Sequence, residues 1–276
     1  MLRFKNLSSG STGNATLVEA TGGTVAKSTR LLVDCGLGLQ RLTAALDSAG
    51  MQPSQIDAIF ITHEHGDHLG CVVQFASRYS IPVWASTGTH AALKDMRLRQ
   101  KAKLPKQTKL APDFDDLVRI AQDACPVDLG ELQFNPFTVP HDAREPLQLS
   151  CTDGRSKLGI LTDLGHASRH VLEQLAQCHA LLLECNHDTD MLANSSYPSF
   201  LKSRVGGDFG HLSNAAAAEI LTALQHDGLR HVAAAHLSQQ NNKAELAQSS
   251  LSGVLGCLPA QIMIAQPDVG TPWLTV

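Results

Sequence analysis

His63, His65, Asp67 and His68 crowd into one stretch, Thr62-His63-Glu64-His65-Gly66-Asp67-His68. Neutral imidazoles and carboxylates at this density are a donor set for divalent metals. The stretch follows an apolar, strand-like run, Ala58-Ile59-Phe60-Ile61. In extended backbone, positions i and i+2 project to one side, so the imidazoles of His63 and His65 can reach the same ion. Gly66 permits a sharp turn, and Asp67 and His68 behind it open a helix from which they can serve a second ion nearby. A zinc site on a helix would instead be spaced His-Glu-x-x-His. The competing reading is a solvated charged loop, and so dense a run directly behind a buried strand argues against it.

A pair of ions needs further ligands, and later strand ends offer them. Thr138-Val139-Pro140-His141-Asp142 ends one apolar run, Ile160-Leu161-Thr162-Asp163 another and Ala233-Ala234-Ala235-His236 a third. A metal-bound histidine usually donates its other ring N–H to a carboxylate or carbonyl. Asp34, after Leu31-Leu32-Val33, and Asp142 are the expected carboxylates for that purpose. The Ser/Gly loop 8–13, with Ser11, and the adjoining Asn14 could offer N–H groups to a phosphate, or form a plain hairpin turn.

The elements that must carry these residues are legible in the hydropathy pattern. Strands are predicted at Ala15–Ala20, Arg30–Asp34, Ala58–Thr62, Pro82–Ala85, Gln133–Val139, Lys157–Thr162, Ala180–Glu184, His231–Ala235, Gln261–Ala265 and Trp273–Val276. Helical spacing marks Leu39–Ala49, His68–Tyr79, Ala167–Gln177, Asn214–His226 and Lys243–Leu251. Strands come first, then strands alternate with helices, as in a layered sandwich whose sheets are covered by helices. The whole of 1–276 reads as a single domain.

With 276 residues, 43% hydrophobic and 17% charged, the chain can build a large core. The net charge of -4 gives no overall pull toward nucleic acid or membrane. One segment departs from that average. Between Lys94 and Lys109 there are seven cations (Lys94, Arg97, Arg99, Lys101, Lys103, Lys106, Lys109) against Asp95 alone. Residues 94–112 therefore read as a basic insertion or arm able to contact a phosphate backbone through Arg97, Arg99, Lys101, Lys103 and Lys106, or as a solvated surface helix. The seven cysteines are scattered and never Cys-x-x-Cys, no apolar run suffices to span a bilayer, and the N-terminus lacks a signal-peptide core. A cytoplasmic chain without membrane contact is expected, and no motif signals an oligomeric state.

In order and spacing, the His63–His68 motif, His141, Asp163 and His236 resemble the metallo-β-lactamase fold superfamily. The resemblance implies an α/β (α+β) four-layer αββα sandwich. It also implies two divalent metal ions, zinc first with manganese or iron as alternatives. His63, His65 and His141 would bind one ion, Asp67, His68 and His236 the other, and Asp163 would bridge them, with Asp67 also counted as catalytic. Lactamases of this fold carry Cys where Asp163 stands, so antibiotic hydrolysis is not expected. Leu183-Glu184-Cys185 and Gly210-His211-Leu212-Ser213 resemble elements of ribonuclease Z-type phosphodiesterases, where such a Glu–His pair helps protonate the leaving group. That maps the role to Glu184 and His211.

The blocks Ser9-Gly10-Ser11, Asn186-His187-Asp188, Tyr197-Pro198, Gly210–Asn214 and His236-Leu237-Ser238 are similar to the YycJ/WalJ-like branch, which is associated with 5′-to-3′ DNA exonuclease activity and DNA repair. DNA is therefore the expected substrate. The alternative is a small-molecule phosphodiesterase or thioester hydrolase of the same fold, and a non-enzymatic scaffold is disfavoured because the ligand positions are all filled.

Overall fold

The computed structural model describes residues 1–22, 27–103 and 114–276, the side chains of 99–103 excepted. Strands β1 (Leu2–Ser8), β2 (Ala15–Gly22), β3 (Lys27–Val33), β4 (Ala58–Phe60), β5 (Val83–Ala85), β6 (Val118–Ile120) and the C-terminal β14 (Leu274–Thr275) form one seven-stranded sheet, ordered β14-β1-β2-β3-β4-β5-β6. Strands β7 (Val127–Leu129), β8 (Leu132–Thr138), β9 (Leu147–Thr152), β10 (Lys157–Leu161), β11 (Ala180–Glu184), β12 (His231–Ala235) and β13 (Met263–Ile264) form the other, ordered β13-β12-β11-β10-β9-β8-β7. The hairpins β1–β2–β3 and β7–β8–β9–β10 are antiparallel, while β3–β4–β5–β6 and β10–β11–β12–β13 run parallel.

Both faces of each sheet are buried, which explains the near-continuous apolar runs of the parallel strands. In β3, Leu31 and Val33 join the core between the sheets and Leu32 faces the helices. In β11, Ala180 and Leu182 point inward while Leu181 and Leu183 face helices on the other side. Phe60 and Trp84 from the first sheet each meet Phe134 from the second edge-to-face at 5.7 Å, a favoured aromatic geometry. Helices α1 (Leu39–Ser48) and α3 (Val72–Tyr79) cover the first sheet; α5 (Arg169–Leu175), α8 (Asn214–Leu224) and α9 (Ala244–Leu255) cover the second. Three cores thus separate four layers, the expected αββα sandwich. The remaining helices are α2 (Gly66–Leu69), α4 (Thr87–Lys103), α6 (Thr189–Asn194) and α7 (Ser199–Val205). Among the described residues no helix is long and apolar enough to cross a membrane.

Several expectations change. The helix expected over His68–Tyr79 is two, α2 and α3, broken at Gly70 (φ 36°), where Cys71 N–H donates to the Cys35 carbonyl instead of continuing the ladder. Strand β1 went unpredicted because Arg3, Lys5 and Asn6 dilute its alternation, although Leu2 and Phe4 lie in the core. As far as residue 103 the basic segment is the C-terminal half of α4, and its remainder lies outside the described residues.

Candidate active site

The predicted residues gather where parallel strands end along one edge of both sheets. Asp34 follows β3, His63 lies just past β4, Asp163 follows β10, Glu184 ends β11 and His236 follows β12. Asp34, Asp163 and His236 adopt left-handed backbone, with φ of 63°, 57° and 56°. That conformation costs a non-glycine residue on the order of 1 kcal/mol or more, and it persists only where surrounding contacts enforce it. It turns the chain sharply at the strand end while keeping the side chain in the cluster.

His63, His65 and His141 present ligand atoms to one another, as do Asp67, His68 and His236, and Asp163 joins His63 and His68 in a third group; within each group these atoms lie within 4.8 Å of one another. His63 Nε2 is 3.1 Å from His65 Nδ1, and His141 Nε2 is 3.3 Å from that same His65 nitrogen. In the second group Asp67 Oδ2 lies 3.6 Å from His68 Nε2 and 3.5 Å from His236 Nε2. Asp163 Oδ2 is 3.2 Å from His68 Nε2.

The opposite ring nitrogens are spoken for. Asp34 Oδ2 is 2.8 Å from His68 Nδ1, as expected. Thr62 Oγ1 lies 3.0 Å from His63 Nδ1 and also reaches Asp34. His141 Nδ1 is 3.1 Å from the Gly210 carbonyl. Asp142, the other expected carboxylate, keeps Oδ1 3.5 Å from His141 Nε2 and 3.8 Å from His65 Nε2, while its Oδ2 accepts from Arg204 Nε at 2.6 Å. Asp142 N–H donates to the Phe209 carbonyl at 3.0 Å, which holds the adjoining Gly210 carbonyl at the His141 ring.

Glu184 is fully buried and its two oxygens divide their work. Oε1 lies 2.9 Å from His211 Nδ1 and 2.9 Å from His236 Nδ1. Oε2 accepts from the backbone N–H groups of Leu164 and Leu212. Burial alone would raise this carboxyl, but His211 and His236 hold it down to about 2. Burial likewise opposes charge on both histidines, yet Glu184 raises His211 and Asp163, with Asp67 and Glu184, raises His236 to about 10. Desolvation, reinforced by His68, drives His63 well below the usual imidazole value.

These residues fit a divalent metal. Asp163 Oδ2 and His236 Nε2 are buried without a hydrogen bond, an expensive condition unless a cation satisfies them. His63, His65 and His141 turn ring nitrogens on one another, an arrangement that suits a shared ion.

Asn14 and Ser11 sit differently in the loop. Asn14 is buried, its amide nitrogen 3.3 Å from Asp67 Oδ2 and 3.1 Å from His68 Nε2, and its Oδ1 accepts from Gly10 N–H. It steadies Asp67 and closes the loop rather than presenting itself to a substrate. Ser11 is exposed on that loop. Ser9, by contrast, is buried and accepts from the backbone N–H of His236 at 2.7 Å.

Arg97 spends its charge internally, 2.7 Å from Asp115 and over the Phe114 ring. Arg99, Lys101 and Lys103 lie on α4 with side chains outside the description, and Lys106 falls outside the described residues. The start of α4 is tied to the site's rim: Gly88 N–H donates to Glu145 and Arg144 pairs with Asp95 at 3.0 Å.

Sequence reasoning assigned no role to Thr62, Gly36 or Asn186. Asn186 Nδ2 donates to the His236 carbonyl, and Asn242 bridges Asn214 and the Cys185 carbonyl, so the Asn-rich blocks brace the strand ends that carry Glu184 and His236. Polar residues flanking each ligand were the available signal.

A family model described as a Beta-lactamase superfamily domain matches residues 29–236. Exodeoxyribonuclease YycJ of Bacillus anthracis is 33% identical over 254 residues, covering 92% of this chain and 89% of that protein. Exodeoxyribonuclease WalJ of Streptococcus pneumoniae is 28% identical over 276 residues, covering 98% of this chain and 96% of the relative. Among solved structures, Zn(2+)-bound PqqB from Methylobacterium extorquens overlays with a TM-score of 0.69 at 14% identity, over 100% of both chains, a likeness of fold.

Proposed function

The chain belongs to the metallo-β-lactamase superfamily, and from that premise we propose that this metal-dependent hydrolase cleaves phosphodiester bonds of DNA as a 5′-to-3′ exonuclease acting in DNA repair in the cytoplasm. The observation that carries the reading is the Glu184–His211 pair, 2.9 Å apart beside the metal-fitting cluster. Thioester hydrolysis, whose thiolate leaves readily, has less need of a dedicated acid, whereas an alkoxide leaving a phosphate is a poor leaving group that benefits from a proton. The names of the YycJ and WalJ relatives support DNA as the substrate.

His63, His65 and His141 would hold one ion, Asp67, His68 and His236 the other, and Asp163 would reach both. Zinc is the first candidate, with manganese and iron compatible with the same donors. Two divalent ions supply Lewis acidity toward a phosphoryl oxygen and make water a nucleophile near neutral pH. The protein's own work is positional. Glu184 fixes the His211 ring through Nδ1 and leaves Nε2 to carry the proton to the departing oxygen, and its negative charge keeps that proton in place. His211 is 23% exposed, so a substrate can reach it. Arg99, Lys101 and Lys103, on the C-terminal half of α4, and Lys106, further along the chain, supply cations for the phosphate backbone.

A cleavage panel tests the proposal: manganese- and zinc-loaded protein against 5′-labelled duplex DNA, single-stranded DNA, RNA and a chromogenic phosphodiester. Duplex DNA should be degraded from its 5′ end, and cleavage of the chromogenic ester alone would favour the small-molecule alternative.

A further inference from the structure

Six of the eight phenylalanines are buried in the cores, namely Phe4, Phe60, Phe75, Phe114, Phe134 and Phe137. The other two, Phe200 and Phe209, are 74% and 60% exposed, and both lie on the segment leading into His211. A phenyl ring left in water forgoes about 1.5–3 kcal/mol of burial, so two on one segment beside a reaction centre call for a reason.

The backbone beneath Phe209 is fixed by the site itself. Its carbonyl accepts from Asp142 N–H at 3.0 Å, and the next carbonyl, of Gly210, lies 3.1 Å from His141 Nδ1. His211 N–H donates to the Val205 carbonyl at 2.8 Å, and a Cβ on Gly210 would sit 2.1 Å from the Arg204 carbonyl, so the turn is pressed against the end of α7. Phe209 therefore stands on a rigid turn, two residues from the candidate acid, with its ring outside. Phe200 lies four residues before Arg204 on α7, the spacing that puts both on one helix face. Arg204 reaches Asp142 at 2.6 Å, so that face borders His141. The same ion pair neutralises the Asp142 carboxylate at this rim.

We infer that Phe200 and Phe209 form a stacking platform for unpaired bases at the end of the strand being cleaved. The inference rests on the nuclease reading. Every base has a π-face, so exposed rings interleaved with cations bind frayed strands without regard to sequence. Lys202, Arg204 and Asp208 separate the two rings along the chain, whereas a lipid or protein surface would be met by a continuous apolar patch. The platform makes a melted or overhanging end, rather than a blunt duplex, the preferred substrate.

The test uses manganese-loaded protein and two duplexes with a two-nucleotide 5′ overhang, one carrying natural bases and one abasic residues. Wild type should show at least about a fivefold higher kcat/KM on the base-bearing overhang, the loss expected of one stack. In Phe209→Ala that ratio should fall toward one, with Phe200→Ala causing a smaller fall, and Phe209→Trp should restore it. A wild-type ratio near one, or a ratio unchanged in Phe209→Ala, overturns the platform while leaving the nuclease reading intact. If neither duplex is cut but a chromogenic phosphodiester is, both fall together. Self-association that Phe200→Ala and Phe209→Ala abolish would reassign the rings to a second copy of the chain.

Discussion

A single oxygen of Glu184 lies 2.9 Å from His211 Nδ1 and, on its other side, 2.9 Å from His236 Nδ1. The carboxylate that orients the candidate acid therefore also orients a candidate metal ligand, and the two functions cannot be tuned apart. His211→Ala should lower kcat on DNA by about 10²- to 10⁴-fold, the range for a lost general acid, while metal content per chain stays unchanged. Glu184→Gln should lose comparable activity and part of its metal as well. Metal analysis of both variants checks this, and loss of metal from His211→Ala would make His211 a ligand.

Gly36 has no space for a side chain. A Cβ there would sit 1.6 Å from the Asp67 carbonyl oxygen, and the neighbouring Asn14 N–H donates to that same carbonyl at 2.8 Å. Gly36→Ala must displace the loop carrying Asp67 and His68. The expected result is a destabilisation of about 3 kcal/mol and loss of metal, read by thermal melting and metal analysis.

Metal uptake should depend on pH in a defined direction. After chelation, burial opposes charge on His236, but Asp163, Asp67 and Glu184 outweigh it and hold the ring at about 10, so it is protonated at neutral pH. An ion must displace that proton, so affinity rises with pH and binding releases protons. Calorimetry of zinc binding in buffers of different ionisation enthalpy should reveal the release. The raised value also stabilises the chelated fold fully below pH 6.5, a contribution lost as pH rises through about 10.

The basic segment 94–112 should contribute affinity without sequence preference. Lys101→Glu, Lys103→Glu and Lys106→Glu together should weaken duplex binding and flatten the slope of log affinity against log salt by about 2 to 3. Arg97→Ala should instead destabilise the fold, since Arg97 pairs with Asp115. Filter binding across a salt series distinguishes the two.

The metal-fitting cluster was legible because its residues sit at the ends of apolar runs, and the spacing His63-x-His65-x-Asp67-His68 gives its own geometry. The sandwich followed from alternating strands and helices. Contacts formed only by tertiary approach were not legible. Nothing local in Asp142 tells that Arg204 would claim it, nor in Gly210 that its carbonyl would hold His141. Asn14 sits in a loop whose composition suits a phosphate, yet folding turns its amide toward Asp67. Strand β1 and the short helices α6 and α7 lacked enough periodic residues to stand out from charged and polar neighbours.

The central claim is that a pair of metal ions held by this cluster serves phosphodiester cleavage. Its most direct test is the turnover of 5′-labelled duplex DNA by chelated protein reconstituted with zero, one and two equivalents of metal. Activity should be absent at zero, small at one and maximal at two. Full activity with one equivalent, or cleavage that survives chelation, would contradict the account.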